Sequence, residues 1–141
     1  MPALFDKQGI KFQYPENWTV EASTAIDEDG VTLYSPGGGF WSVVVRDGGD
    51  EPAQVAEVVL ETMRELYDDL DSAAVEEPVA GEELVGHDVN FYCLDMTNTA
   101  QIRAFRRDGK TYLVLYQAED REFDAIEPVF RAITRSLVQA H

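Results

Sequence analysis

Apolar and polar residues alternate through the first third of the chain, as they do in strands with one buried face. The alternation covers residues 10–14, 18–22 and 31–34, and glycine- or proline-containing stretches separate these segments. Residues 40–46 contain instead the apolar run Val43-Val44-Val45, which is typical of a strand covered on both faces. The segment Asp27-Glu28-Asp29-Gly30 is typical of a turn. The pattern therefore predicts a meander of short antiparallel strands.

Helical spacing replaces this alternation after Asp47. Apolar residues recur three or four positions apart between 52 and 70, and Pro52 fits the first turn of a helix. The spacing predicts an amphipathic helix over 52–70. Asp68, Asp69 and Asp71 crowd its carboxyl end, where the helix dipole disfavours negative charge. The outer face of this helix carries four acidic residues, Glu57, Glu61, Glu65 and Asp68.

A second group of strands is predicted after this helix. The segments are 73–79, a short stretch at 84–85, 89–96, 101–107 and 111–117. Asp108-Gly109 lies between the last two segments and favours a type I′ hairpin, because both central residues of that turn need a positive φ.

An apolar stripe near the end of the chain predicts a final helix. The stripe consists of Phe123, Ile126, Phe130, Ile133 and Leu137. Asp124 followed by Glu127 fits a capping box, which places Pro128 late in the first turn.

The order of strands, helix, strands, helix favours the α+β class over a doubly wound parallel fold. A chain of 141 residues, 45% of them hydrophobic, is long enough for one core, so we expect a single domain over 1–141. Hydrophobic residues at the centre of each element are expected to form that core, namely Phe12, Trp18, Val44, Phe91, Leu113, Phe130 and Ile133.

Negative charge is concentrated in one segment. The chain has 27 acidic and 11 basic residues, a formal charge of -16, which argues against binding to nucleic acid or anionic lipid. From Asp47 to Asp88 there are fourteen acidic residues and one basic residue, Arg64. Four interpretations remain open for this segment: a solvated face, a surface for a basic protein partner, a divalent-cation site at Asp68-Asp69-Leu70-Asp71, and adaptation to salt.

Motifs for enzyme chemistry are missing from the sequence. It contains no G-x-S-x-G, H-E-x-x-H, C-x-x-C or phosphate-loop pattern, and we expect no metal and no cofactor. His87 and Asp88 would point to opposite faces of a strand, and a turn-exposed histidine is favoured. Cys93 is expected to be a buried thiol, and Gly37-Gly38-Gly39 a flexible loop.

Two further features concern surfaces. Adjacent Phe40 and Trp41 must face opposite sides of a strand, so Trp41 is either a core residue or an anchor for a partner. The candidate partner-binding residues are therefore Glu57, Glu61, Glu65, Asp68, Asp69, Asp71 and Trp41. Basic residues around the Asp108-Gly109 hairpin, Arg103, Arg106, Arg107 and Lys110, are interpreted as protection of a sheet edge.

Both ends of the chain carry motifs that resemble a known family. Gly9-Ile10-Lys11-Phe12-Gln13-Tyr14-Pro15-Glu16-Asn17-Trp18 is similar to the start of PsbP/Mog1-like domains, a group that includes DcrB-like bacterial proteins, and Ile133-Thr134-Arg135-Ser136-Leu137 is similar to their closing helix. The resemblance implies a mostly antiparallel sheet sandwiched between helices. It also implies a role in binding or assisting macromolecules, as in a photosystem accessory subunit, a factor acting on the GTPase Ran and bacterial chaperones.

These observations together favour a binding, adaptor or chaperone-like domain that is not an enzyme. The absence of an apolar span and of an export signal favours the cytoplasm. The alternative is a small hydrolase or isomerase, which needs an Asp or Glu buried in a cleft with a raised pKa. The oligomeric state is left open.

Overall fold

The structure is a computed structural model that describes residues 2–22, 29–48 and 50–140. The elements, in chain order, are β1 (Pro2–Lys7), β2 (Ile10–Pro15), β3 (Thr19–Ala22), β4 (Asp29–Tyr34), β5 (Phe40–Asp47), α1 (Pro52–Leu66), β6 (Asp71–Val79), β7 (Glu82–Cys93), β8 (Met96–Arg107), β9 (Lys110–Glu119) and α2 (Asp120–Gln139). The predicted turn at 27–30 lies partly outside the described residues, and Asp29 and Gly30 already belong to β4.

Seven of the strands form one antiparallel sheet in the order β3-β4-β5-β9-β8-β7-β6. The remaining strands, β1 and β2, form a separate hairpin. The β8–β9 hairpin closes through Asp108 and Gly109, both at positive φ, so the predicted type I′ turn is confirmed. This hairpin lies inside the sheet, so its basic residues do not protect an edge; the edge strands are β3 and β6.

The two helices cover opposite faces of the sheet. On β8, Ala100, Ile102 and Ala104 pack in a cluster with Ala56, Leu60 and Met63 of α1. The alternate residue Phe105 packs in the larger cluster that contains the α2 residues Phe123, Phe130 and Ile133. Because neighbouring strand residues point to opposite faces, the sheet is sandwiched between α1 and α2. The predicted α+β class is confirmed.

The larger cluster joins the β1–β2 hairpin, the sheet and α2. Stacked and tilted rings connect the three parts, with centroid separations of 4.9 Å for Phe12–Trp41 and 4.8 Å for Tyr116–Phe130. The backbone N–H of Gln13 donates to Ser136 Oγ at 2.9 Å, which ties β2 to the last turns of α2. Of the predicted core, only Val44 and Leu113 are half-buried rather than buried.

Two predictions about element boundaries were wrong. The segment 84–85 and residues 89–93 belong to one strand, β7, and Met96 already belongs to β8. Gly86 is not a turn residue: a Cβ at this position would lie 1.7 Å from the backbone oxygen of Ile102. Helix α2 begins at Asp120, since the carboxylate of Glu119 accepts from the N–H groups of Arg121 and Glu122. Pro128 therefore lies inside the helix and not in its first turn.

Candidate functional site

An acidic stripe runs along the outer face of α1. Glu57, Glu61 and Glu65 are spaced four residues apart, and all three are exposed. Ala56, Leu60 and Met63, on the other side of the helix, are buried against the sheet. The apolar side must face the core, so the 3.6-residue repeat places these glutamates toward solvent.

Few positive charges accompany the acidic stripe. Glu57 has one neighbour, His87, with Oε2 and Nε2 3.3 Å apart, and Glu61 pairs with Arg64. Arg64 also donates to Ser72 Oγ at 3.1 Å. Within the described ranges, no cation lies at ion-pair distance from the next group of carboxylates, Glu65, Asp68, Asp69, Asp71 and Glu76.

The helix ends earlier than its apolar repeat indicates. Its last residue is Leu66, Tyr67 is already extended and Asp69 has a φ of 53°. The prediction of a helix to residue 70 was wrong: the chain leaves the helical conformation at Tyr67, so Asp68 and Asp69 lie beyond the last helical turn.

A groove separates the amino-terminal half of α1 from β6 and β7. Its volume is about 420 Å³, and small residues line much of it, including Ala53 and Ala56 of the helix and Ala74 of β6. Glu57 lines the groove from the helix, and Glu76 lines it from the strand. The groove therefore combines an apolar lining with carboxylates from two elements.

His87 also lines this groove. Its side chain is 14% exposed and lies on the α1 face of β7, so the prediction of a turn-exposed histidine was wrong. The next residue, Asp88, contacts Arg103 on the opposite face of the sheet, so the two residues do not act as a pair. The groove is chemically suited to a side chain with an aliphatic stem and a positive head, as in lysine or arginine.

The carboxylates on the opposite face of the sheet are used internally. Arg103, 2% exposed, donates to Glu77 Oε1 at 2.8 Å and to Asp88 Oδ1 at 2.7 Å. Arg131 of α2 binds the second oxygen of Glu77 at 3.1 Å. Burial by itself lowers the pKa of Arg103, but the hydrogen bond to Glu77 and the nearby charges outweigh burial, and the pKa is raised.

Tyr116 lies beside this ion-pair network. Its hydroxyl donates to Gln101 Oε1 at 2.5 Å, and burial raises its pKa well above the usual value because the phenolate would lose hydration. The residues of this network are mutually satisfied, which indicates a structural role.

Trp41 and Cys93 pack against the two hydrophobic clusters. Trp41 is 0% exposed, and its Nε1 donates to Thr134 Oγ1 at 3.0 Å, so of the two interpretations of this residue the structure supports core packing. Cys93 is half-buried against the α1-side cluster. The Gly37-Gly38-Gly39 loop is held near α2 by a 2.5 Å hydrogen bond from Ser35 Oγ to Glu122.

A larger groove, of about 590 Å³, lies between the β2–β3 connection and α2. Tyr14, Pro15, Pro128 and Val129 line it, and Glu16 is its one charged lining residue. It brings together the two family-like motifs, but its apolar lining does not specify a ligand. The smaller groove beside α1 has the more selective chemistry.

The described residues form neither a metal-binding cluster nor a membrane-spanning helix. Across 2–22, 29–48 and 50–140, no group of three or more His, Cys, Asp or Glu side chains is arranged to hold a metal ion. None of the described helices is both long and apolar enough to cross a membrane.

Sequence reasoning identified the stripe but not the groove. Glu76, His87 and the alanines come from three elements that only the sheet register and the packing of α1 bring together. The sequence signal that could have linked Ala74 with Glu76 is their spacing in β6, since residues two apart in a strand point to the same face.

Solved structures with the same fold were found over nearly the whole chain. Cyanobacterial PsbP (CyanoP) from Synechocystis has a TM-score of 0.64 at 14% sequence identity, covering 96% of this chain and 89% of that chain. PA94, a protein of unknown function from Pseudomonas aeruginosa, has a TM-score of 0.58 at 13% identity, covering 99% and 98%. LpqN, involved in cell envelope biogenesis of Mycobacterium tuberculosis, has a TM-score of 0.52 at 11% identity, covering 94% and 87%.

These similarities confirm the predicted PsbP-like fold. At such identities they show the fold alone, and function does not transfer with it. No protein-family model matches the sequence. No curated protein matches it either.

Proposed function

We propose that this chain is a protein-binding module that uses the α1 side of the sheet to bind a basic partner. The observation that supports the proposal most strongly is the groove between α1 and β6, where Glu57 and Glu76 flank an alanine-rich lining. The acidic stripe extends the negative surface along the helix. Basic side chains can bury their stems on the alanines and keep their charged heads near the carboxylates.

The way the fold uses its charges supports the same proposal. Glu77 and Asp88 are bound by Arg103, and Arg107 donates to the carbonyl oxygens of Val138 and Leu137 at the end of α2. On the α1 side, the pair of Arg64 with Glu61 is exposed, and an exposed pair contributes at most about 1 kcal/mol. The carboxylates there contribute little to folding, so they are available to attract a partner.

The alternative function, a carboxylate-based hydrolase or isomerase, lacks a supporting observation. It requires an Asp or Glu buried in a cleft. Among the described residues, the buried polar side chains are Ser35, Gln101, Arg103, Thr111 and Thr134. The protein-binding proposal is therefore favoured.

The test is affinity capture from a lysate of the native cell with two charge-reversed proteins. Glu61→Lys with Glu65→Lys reverses the stripe, whereas Glu21→Lys with Asp124→Lys changes the net charge equally on β3 and α2. The wild type and the second variant should capture the same basic proteins, and the stripe variant should lose them. Identical captured proteins from all three would contradict the proposal.

A further inference from the structure

The outer edge of β6 is a nine-residue strand edge that no other described strand pairs with. β6 lies at the end of the sheet, and β7 is its one partner among the described strands. The pairing runs from Asp71 with Asn90 to Val79 with Glu82 without a change of register, so the strand contains no bulge. A regular strand of this length offers a row of backbone groups to a further strand.

The turn that follows β6 shows which backbone groups point outward. Ala80 and Gly81 have φ of 50° and 89°, as in a two-residue type I′ turn, so Val79 and Glu82 form a hydrogen-bonded pair. Because hydrogen-bonded residues alternate along an antiparallel strand, the odd-numbered residues of β6 bond to β7. The even-numbered residues direct their backbone groups to the free edge: Ser72, Ala74, Glu76 and Pro78.

Pro78 agrees with this assignment. Proline has no N–H, so it fits where the N–H would face solvent and not where β7 needs a donor. The edge then offers the N–H and C=O groups of Ser72, Ala74 and Glu76, and the C=O of Pro78.

Side chains beside the edge indicate what kind of strand would fit. A strand added to β6 would place alternate side chains on the α1 face, beside the groove formed with Ala53, Glu57 and Glu76. Basic residues at these positions would reach both carboxylates. A second copy of this chain is disfavoured, because its β6 edge would bring Asp71 and Glu76 against like charges.

We propose that β6 binds an extended, lysine- or arginine-containing segment of the partner as an additional strand of the sheet, with basic side chains in the groove beside α1. This inference rests on the proposed function and specifies its geometry. Main-chain hydrogen bonds to Ser72, Ala74 and Glu76 would supply much of the affinity, and the groove would select charge.

The test uses a blocked peptide of four Lys-Val repeats, titrated into the intact protein, and two versions N-methylated on every Lys or on every Val. Alternate N–H groups of a strand point to opposite sides, so one methylated set faces β6 and the other faces solvent. The parent peptide should bind, and one methylated version should bind at least tenfold more weakly while the other binds like the parent. Amide hydrogen exchange at Ser72, Ala74 and Glu76 should slow in the complex.

A protein variant provides the complementary test. Ala74→Pro removes one outward N–H without removing a bond to β7, so the fold should persist by circular dichroism and peptide affinity should fall at least tenfold. Glu21→Lys with Asp124→Lys should leave peptide affinity within about twofold, since neither residue borders the groove.

The outcomes separate this inference from the proposed function. If both methylated peptides bind like the parent, binding is electrostatic and strand addition is wrong, although the proposed function remains. If no peptide binds but capture of basic proteins depends on Glu61 and Glu65, strand addition is wrong and the proposed function remains. If neither binding is seen, both proposals fail.

Discussion

The two sides of the sheet use their charged residues differently. On the α2 side, Arg103 and Arg131 bind Glu77, and Arg107 contacts the end of α2 and lies over the rings of Phe105 and Tyr112. On the α1 side, the glutamates of the stripe face solvent. Glu77 on the α2 side is thus neutralised within the fold, whereas on the α1 side Glu65 has no cation at ion-pair distance among the described residues.

The hydrophobic clusters on the two sides of the sheet also differ, in the number and size of their buried side chains. The α2-side cluster is the larger of the two and contains many aromatic rings, such as Phe12, Trp41 and Phe130. The α1-side cluster is smaller and has three alanines beside Leu60, Met63, Val89, Phe91 and Ile102. Larger buried side chains contribute more to stability. The α2 side therefore contributes more of the buried apolar surface that stabilises the fold.

The largest expected effect is on the α2-side core. Phe130→Ala should lower the free energy of unfolding by about 3–5 kcal/mol, because Phe130 is fully buried among aromatic rings. Leu60→Ala should cost less, about 2–3 kcal/mol, since a leucine side chain buries less apolar surface than a phenylalanine. Urea unfolding measures both, and equal losses would remove the distinction between the cores.

The second-largest effect on the free energy of unfolding is expected for a buried arginine, compared with an exposed one. Arg103→Met should cost about 3 kcal/mol, because Glu77 and Asp88 lose their buried cation. Arg64→Met on the α1 side should change stability by less than about 1 kcal/mol, since its pair with Glu61 is exposed. The same urea experiment tests this, and a comparable cost for both would contradict the account.

Alkaline pH should destabilise the α2 side through Tyr116. Its pKa is raised in the folded state by burial, so above pH ~10 the unfolded chain loses this proton while the folded chain keeps it. The stabilisation is complete below the unfolded pKa and is lost as pH rises toward the folded value, by up to ~1.4 kcal/mol per pH unit. Unfolding free energies between pH 9 and 11 should fall less steeply for Tyr116→Phe; parallel slopes would show that Tyr116 is not the source.

The smallest effect is expected from the acidic stripe. Glu61→Lys with Glu65→Lys should leave stability unchanged or raise it by up to about 1 kcal/mol, because like charges are relieved. The melting temperature of the wild type should rise between low salt and ~0.15 M salt, where the Debye length is ~8 Å. Differential scanning calorimetry would detect both, and a destabilised variant would mean that the stripe supports the fold.

Elements with a strong local pattern were predictable from the sequence. The stripe of α1 and the Asp108-Gly109 turn follow from spacing and from residue type. The β7–β8 turn at Leu94-Asp95 was not predictable, because leucine is not typical of positive φ and no glycine is present, and the observed values are 52° and 62°. There the long pairing of β7 with β8 determines the turn.

The candidate site was predictable only in part. The glutamates of α1 were identified because helical periodicity is local. Glu76, Ala74 and His87 were missed because their proximity to Glu57 depends on the β6–β7 register and on the packing of α1. Residues 86–88 were left out of the predicted strands, although the missing Cβ of Gly86 serves the close approach of β8.

The most direct test of the account measures stability and binding on one variant, Glu57→Gln with Glu76→Gln. If these two carboxylates bind a partner and do not support the fold, urea unfolding of the variant should give a free energy within about 0.5 kcal/mol of the wild type or above it. Affinity for the Lys-Val peptide should fall at least tenfold. Unchanged affinity together with a stability loss above about 1 kcal/mol would show that these carboxylates serve the fold and would contradict the account.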